Sequence, residues 1–195
     1  MNIQRNYAEI TNLRAHGLKV QPQKCRLFQK EVHYLGQVVS QQGVATALEK
    51  TAAVREWHVP NTVKQVRSFL GFAGYYRRFI PGFSKIATPL HRLLEDTTGA
   101  KIAPIQWMET CQAAFDQLKG TLLEAPVLAY ADFSLPFRLY VDASLEGLGA
   151  VLSQLQEGHK QVIAYASRSL YPAERNDRIY SSFKLELQTI TPLFI

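Results

Sequence analysis

Two carboxylates could do chemistry if the chain brought them together. Asp142 closes the run Phe137–Asp142, where Phe137, Leu139 and Val141 alternate with Arg138, Tyr140 and Asp142. That period of two predicts a half-buried strand, with Asp142 on the face away from the apolar set. Ser144–Gly147 reads as a turn and Leu148–Gln154 as a second strand, so the pair is a hairpin. Gln161–Ala166 is a third strand, within an approach running from His159 to Ser169, and Ala173–Leu187 is a helix that carries Glu186. Three strands and a helix, with one carboxylate on the first strand and another on the helix, make half of a two-metal nuclease site. Each residue also has a plainer reading. A lone aspartate at a strand end starts turns by bonding its own backbone, and Glu186 could be an exposed helix residue paired with Lys184 or Arg178. Glu146 and Asp132 read as turn and surface charges.

A second set of residues suits phosphates. Asn61–Leu94 holds Lys64, Arg67, Arg77, Arg78, Lys85 and Arg92 and no acidic residue, and these six equal the whole net charge of +6. Lysine and arginine neutralise phosphates, and an exposed tyrosine stacks on a base or sugar. Lys64, Arg67, Tyr75, Tyr76, Arg77, Arg78 and Lys85 are therefore candidate nucleic-acid contacts. With about three phosphates neutralised, log affinity should fall against log salt with a slope near −3. The other reading is a solvated basic face with its aromatics turned inward. Phe69, Leu70 and Phe72 sit at helical spacing and read as core.

Several elements must hold these residues. At 195 residues with 47% hydrophobic content, the chain can bury a sizeable core in one or two domains. It has no apolar run long enough to span a membrane and no apolar core of a signal peptide at its start. Cys25 and Cys111 lie far apart without a CxxC pattern, as expected of buried thiols in a reducing compartment. The five histidines are scattered. Ala8–His16 reads as the end of a helix stopped by Gly17. Leu27–Gln29 and Val32–Ser40 predict a hairpin turning near Lys30 and Glu31, with Gly36 as a bulge or close approach. Leu48–Trp57 is a helix stopped before Pro60, and Asn61 or Thr62 caps the next. There Val63, Val66, Phe69, Leu70 and Ala73 form a buried stripe. Gly71 and Gly74 weaken that helix unless something packs closely on them. Ser84 caps a third helix with Ile86, Leu90, Leu93 and Leu94 inward, and Pro89 predicts a kink or two short helices. Residues 95–106 read as a domain boundary. A helix follows with Cys111, Phe115, Leu118 and Leu122 on one face.

The motifs are specific enough to carry a resemblance. VKQVRSFLGFAGYYRRFIPGFSKIATPL (Val63–Leu90), APVLAYADFSLPFRLYVDAS (Ala125–Ser144), VIAYASRSL (Val162–Leu170) and YLGQVVS (Tyr34–Ser40) together resemble the reverse transcriptase–ribonuclease H part of gypsy-class retrotransposon Pol polyproteins. The resemblance implies an α/β (α+β) chain in three parts. Residues 1–45 would be a palm end with a primer-grip-like hairpin at Tyr34, Leu35, Gly36 and Gln37. Residues 46–95 would be a helical thumb or connection, and residues 96–195 the first part of a ribonuclease H-like mixed sheet with helices. It implies that Asp142 and Glu186 match the first two nuclease carboxylates, which hold Mg2+ for cleaving RNA in RNA–DNA hybrids. The implied partners are nucleic acid, as hybrid or duplex, and the rest of the Pol polyprotein, in the cytoplasm or nucleus and without a membrane. The family's polymerase site uses an adjacent Asp-Asp pair, and this sequence has none. The third nuclease carboxylate would follow Glu186 on a later strand, and the resemblance fades from Gln188. The expectation is a fragment of a reverse transcriptase that is inactive alone. The alternatives are a non-catalytic nucleic-acid-binding or interaction protein retained from a decayed retroelement, and a product without function.

Overall fold

A computed structural model describes residues 11–12, 14–19, 21, 23, 25, 29–95, 105–144 and 147–170. The chain divides into two units, Met1–Val32 and His33–Ile195. In the first, residues 11–12 and 14–15 are helical. Gly17, at φ 72°, ends them as expected, its N–H donating to the Arg14 carbonyl at 3.1 Å. Cys111 is buried as predicted, but Cys25 is exposed. Its thiol is satisfied locally by the Gln21 carbonyl at 3.4 Å.

A small sheet contains β1 (Glu31–Tyr34), β2 (Gln37–Ser40) and β3 (Gly43–Thr46) in that order. Its first turn lies at Leu35–Gly36, so Gly36 is a turn residue rather than a bulge; the strand expected over Leu27–Gln29, and with it the turn near Lys30 and Glu31, lies mostly outside the described residues. Leu35 and Gly36 are both left-handed, at φ 49° and 76°, the geometry that suits a two-residue hairpin. A leucine there is sterically costly, so its sequence carries no turn signal. Gly43, at φ 137°, lies so close to the Leu128 carbonyl that a Cβ would collide with it. That approach lets Val44 and Leu128 exchange two backbone hydrogen bonds, both 2.8 Å.

Four helices follow: α1 (Leu48–Arg55), α2 (Val63–Tyr75), α3 (Phe83–Glu95) and α4 (Glu109–Leu123), with a 3-10 turn at Arg77–Phe79. Thr62 caps α2 by accepting the Gln65 N–H at 3.3 Å, while Gln65 Oε1 accepts the Asn61 N–H at 2.8 Å. The predicted stripe is buried in full, none of its five members more than 6% exposed. Each such side chain contributes about 1.5–3 kcal/mol by leaving water. Phe69 meets Phe115 of α4 at 4.6 Å between ring centres and Trp57 at 5.6 Å. The helices on either side of residues 96–104 therefore share one core. α3 runs unbroken through Pro89. Burial of Ala87, Leu90 and Leu93 outweighs the missing hydrogen bond, and tertiary packing often overrides local propensity in this way. Ser84 lies inside α3 rather than capping it. No atom would crowd a Cβ at Gly71, so internal packing does not explain that glycine, and at Gly74 only Phe83 comes near, at 3.9 Å.

The second sheet is an antiparallel meander of β4 (Phe137–Ala143), β5 (Gly147–Gln156) and β6 (His159–Ser169). Val162 and Tyr165 of β6 pack on the helical core. A separate cluster of Leu148, Ala150 and Ala166 is joined by Val141 and Leu170. The half-buried pattern expected of β4 fails at Phe137 and Leu139, which are 43% and 37% exposed. Of β4, only Val141 touches that cluster. Gln154 is fully buried. Its amide donates to the carbonyls of Asp132 at 2.7 Å and Leu135 at 3.0 Å and accepts the Asp132 N–H at 2.9 Å, pinning the loop before β4.

Candidate nucleic-acid interface and metal centre

The outward side of α2 is built by the spacing that buries its inward side. Lys64, Arg67, Gly71 and Tyr75 recur at three- and four-residue steps, and all four are exposed. Two hydrogen bonds tie the end of this stripe to the first hairpin. The Tyr75 hydroxyl donates to the Leu35 carbonyl at 2.6 Å and the Tyr76 hydroxyl to the Gly36 carbonyl at 3.0 Å. The structure thus joins two stretches that the sequence places about forty positions apart. Around the turn Tyr34 and Leu35 are 65% and 67% exposed, and Gly36 and Gln37 are half-buried.

Not every basic or aromatic candidate reaches the surface. Tyr76 is 3% exposed, and burial together with the neighbouring Tyr75 pushes its hydroxyl pKa above the usual value. It is a strut, and this corrects its assignment as a contact. Continuing the buried stripe three residues past Ala73 lands on Tyr76, a signal the sequence carried. Arg77 donates from its guanidinium to the Ser167 carbonyl and lies over the Phe83 ring at 5.5 Å. Arg77 is nonetheless exposed, as are Lys64, Arg67, Tyr75, Arg78 and Lys85.

Asp142 sits near the end of β4 and is exposed. It pairs with Gly149, and Gly149 pairs with Ser167. Residues paired across adjacent strands share a face, so this row presents a carboxylate, a position without a side chain, and a hydroxyl. Ser167 Oγ accepts the Ser84 N–H at 2.9 Å and the Ser84 hydroxyl at 3.0 Å. The first turn of α3 is thereby held over the row. A pocket of about 60 Å³ lies between them, lined by Gly82, Ser84, Lys85, Asp142, Ser144, Gly147, Leu148, Gly149 and Ser167. Ser144 closes the rim, its N–H donating to the Gly147 carbonyl at 2.9 Å and its Oγ accepting the Gly147 N–H at 3.2 Å.

As a metal centre this donor set is incomplete. Among the described residues Asp142 is the one carboxylate lining the pocket, and no three described His, Cys, Asp or Glu side chains group as ligands. Glu186 lies outside the described residues. No hydrolytic step follows from Asp142 alone.

Residues 107–194 match the model of the RNase H-like domain found in reverse transcriptase. The chain is 41% identical over 180 residues to the Pol polyprotein of the transposon gypsy of Drosophila melanogaster. It is 37% identical over 163 residues to that of transposon 412 from the same organism. These matches cover 89% and 84% of this chain but 17% and 13% of the relatives. The fold is similar to that of a foamy viral protease–reverse transcriptase solved with double-stranded DNA, at a TM-score of 0.75 and 24% identity, covering 93% of this chain and 31% of that one. A foamy viral structure with an RNA/DNA hybrid matches at a TM-score of 0.73 and 24% identity, covering 87% and 22%. The class is thus defined: an RNase H-like domain of the reverse transcriptase kind, with helices and a small sheet before it. More narrowly, the chain belongs to the reverse transcriptase–ribonuclease H region of gypsy-class retrotransposon Pol polyproteins. No described helix is long and apolar enough to cross a membrane.

Proposed function

We propose that this chain grips duplex nucleic acid within a retroelement reverse transcriptase, holding an RNA–DNA hybrid or DNA duplex along α2 and its neighbouring hairpin. One observation carries the reading: Tyr75 and Tyr76 join the exposed turn of the first hairpin to the end of a basic, outward helix face. Gly71 adds support. It sits on that face with open space where a Cβ would be, and a mid-helix glycine costs about 1 kcal/mol. A nucleic-acid backbone approaching the helix would make use of the gap. The fold neighbours solved with double-stranded DNA and with RNA/DNA hybrid make the same class of ligand reasonable here.

In the whole polyprotein the parent activities would be RNA-directed DNA synthesis and cleavage of RNA in hybrids. Residues 1–45 would end the palm, 46–95 would form the thumb or connection, and 96–195 would open the nuclease domain. Asp142 would be one Mg2+ ligand and Glu186 another. Magnesium takes one or two carboxylates and fills its shell with water and substrate phosphate, so binding without substrate would be weak. When bound, the metal would activate water and stabilise the leaving oxygen.

The test is anisotropy of a labelled hybrid titrated with the chain across a salt series. A slope of log affinity against log salt near −3 is expected. Flat salt dependence would overturn the reading. The ligand role of Asp142 is tested separately, in a version whose tail from Gln188 is replaced by a complete nuclease sequence of the same family. Asp142→Asn should abolish its cleavage of hybrid, and undiminished cleavage would remove Asp142 from the site.

A further inference from the structure

The pocket beside Asp142 has a second charged wall that does not come from the nuclease sheet. Lys85 stands in the first turn of α3 and is exposed. It lines the small pocket together with Asp142, Gly149 and Ser167. On its other side it lines a groove of about 550 Å³ with Ile86, Pro89 and Gln117. Lys85 therefore borders both hollows, and a lysine stem is flexible. Its backbone has no such freedom. The next residue back, Ser84, is fixed to Ser167 by two hydrogen bonds, and Arg77 is fixed to the carbonyl of the same serine. Ser167 belongs to the same cross-strand row as Asp142. Gly149, in the middle of that row, leaves the floor open, since a Cβ there would meet only the Asp142 carbonyl at 3.7 Å. The result is a hollow bordered by Lys85 on the helix side and by Asp142 on the sheet side.

We propose that Lys85 is a substrate-contacting residue of the nuclease site, delivered by the helical segment, and that its ammonium holds a phosphodiester of the nucleic acid against the pocket at Asp142. The proposal rests on the nucleic-acid reading given above and names a residue for it. In the free chain the carboxylate and an incoming phosphate compete for one ammonium. A carboxylate alone would repel that phosphate, and Lys85 offsets the repulsion. Lysine suits the task, because its compact charge sits on a long flexible stem that follows the phosphate.

The competition gives a test that needs no metal and no cleavage. Wild-type chain, Lys85→Gln, Asp142→Asn and the double variant are titrated with labelled RNA–DNA hybrid in EDTA across a salt series. Both side chains are exposed, and circular dichroism checks that each variant folds. Lys85→Gln should weaken binding and lower the salt slope by about 0.9, the loss of one phosphate contact. Asp142→Asn should tighten binding. Lys85→Gln should then cost on the order of two- to fivefold more in the Asp142→Asn background than in wild type, because the freed ammonium is fully available to the phosphate. Lys85→Arg should retain most of the affinity. Lys64→Gln should lower the slope equally but show no coupling to Asp142. If Lys85→Gln leaves affinity unchanged, or its effect is the same in both backgrounds, the proposal is overturned while the interface on α2 stands. If the wild-type chain shows no salt-dependent binding, the nucleic-acid reading itself falls.

Discussion

Removing the hydroxyl of Ser167 should loosen the attachment of the helical segment to the second sheet by a calculable amount. Ser84 and Ser167 are 8% and 3% exposed, so neither has water as a substitute partner. Both hydrogen bonds between them end on Ser167 Oγ, at 2.9 Å and 3.0 Å. Ser167→Ala leaves two buried donors, the Ser84 N–H and its hydroxyl. At about 1–3 kcal/mol for each unsatisfied buried group, and with some relaxation, the expected cost is about 2–4 kcal/mol. Ser84→Ala removes only the hydroxyl bond and should cost about 1 kcal/mol. The double variant should be no worse than Ser167→Ala, since it leaves no hydroxyl of Ser84 to go unpaired. The Arg77 bond ends on the backbone carbonyl and survives all three changes. Urea unfolding followed by tryptophan fluorescence measures these costs, because Trp57 and Trp107 both pack against the helical core. Amide exchange along β6 reports the sheet side. A Ser167→Ala variant within about 0.5 kcal/mol of wild type, or costs that simply add in the double variant, would refute the latch; surface-like substitutions fall in that small range.

Four further outcomes are expected. Arg78→Ala should lower the salt slope for hybrid binding by about 0.9, whereas Arg77→Ala should chiefly lower the urea midpoint, since its guanidinium is bound to Ser167. Gly43→Ala should cost several kcal/mol and break the Val44–Leu128 bridge, because its Cβ meets the Leu128 carbonyl at a left-handed backbone; thermal unfolding and loss of amide protection at Val44 would show it, at about 3 kcal/mol or more. Tyr76 has a raised pKa in the fold, so the unfolded chain ionises first and stability should fall as pH rises past the usual tyrosine value of about 10; Tyr76→Phe should flatten that decline in alkaline urea titrations while lowering stability at neutral pH by about 1 kcal/mol. Finally, primer-extension assays with magnesium or manganese should detect no template-dependent synthesis by this chain, which lacks an adjacent Asp-Asp pair.

The parts legible in the sequence are those that repeat or that punctuate. The stripe of α2 and the inward face of α4 announce themselves by period and are found where the period puts them, and the three strands of the meander lie where they were read. Thr62 and Gly17 mark helix ends by chemistry that is local to the chain. What fails is whatever depends on a distant partner. The turn at Leu35 looked like strand because a leucine gives no hint of a left-handed backbone, and what bonds its carbonyl is Tyr75. The tie between Arg77 and the Ser167 carbonyl was not legible either, because Ser167 lies ninety positions on. Phe137 and Leu139 looked half-buried because alternation says which side chains share a face but not whether that face is covered.

The carboxylate itself was legible, but its setting was not. Asp142 could be read from a strand and a turn, and its resemblance to a nuclease ligand concerns the sheet alone. Gly149 sits inside β5, where a glycine gives a strand nothing to pack. In the fold it opens the hollow between Asp142 and Ser167. The residues over that hollow, Ser84 and Lys85, come from a helix that begins some fifty residues before β4. The consequence bears on how the chain can be divided. A sheet cut away from residues 63–95 would keep Asp142, the row and the turn at Ser144. It would lose the cation, the latch and the core that supports β6 through Val162 and Tyr165. The helical segment therefore supplies Gly82, Ser84 and Lys85 to the pocket at Asp142, and under the proposal above the unit that places a phosphate there starts before the first strand of the meander.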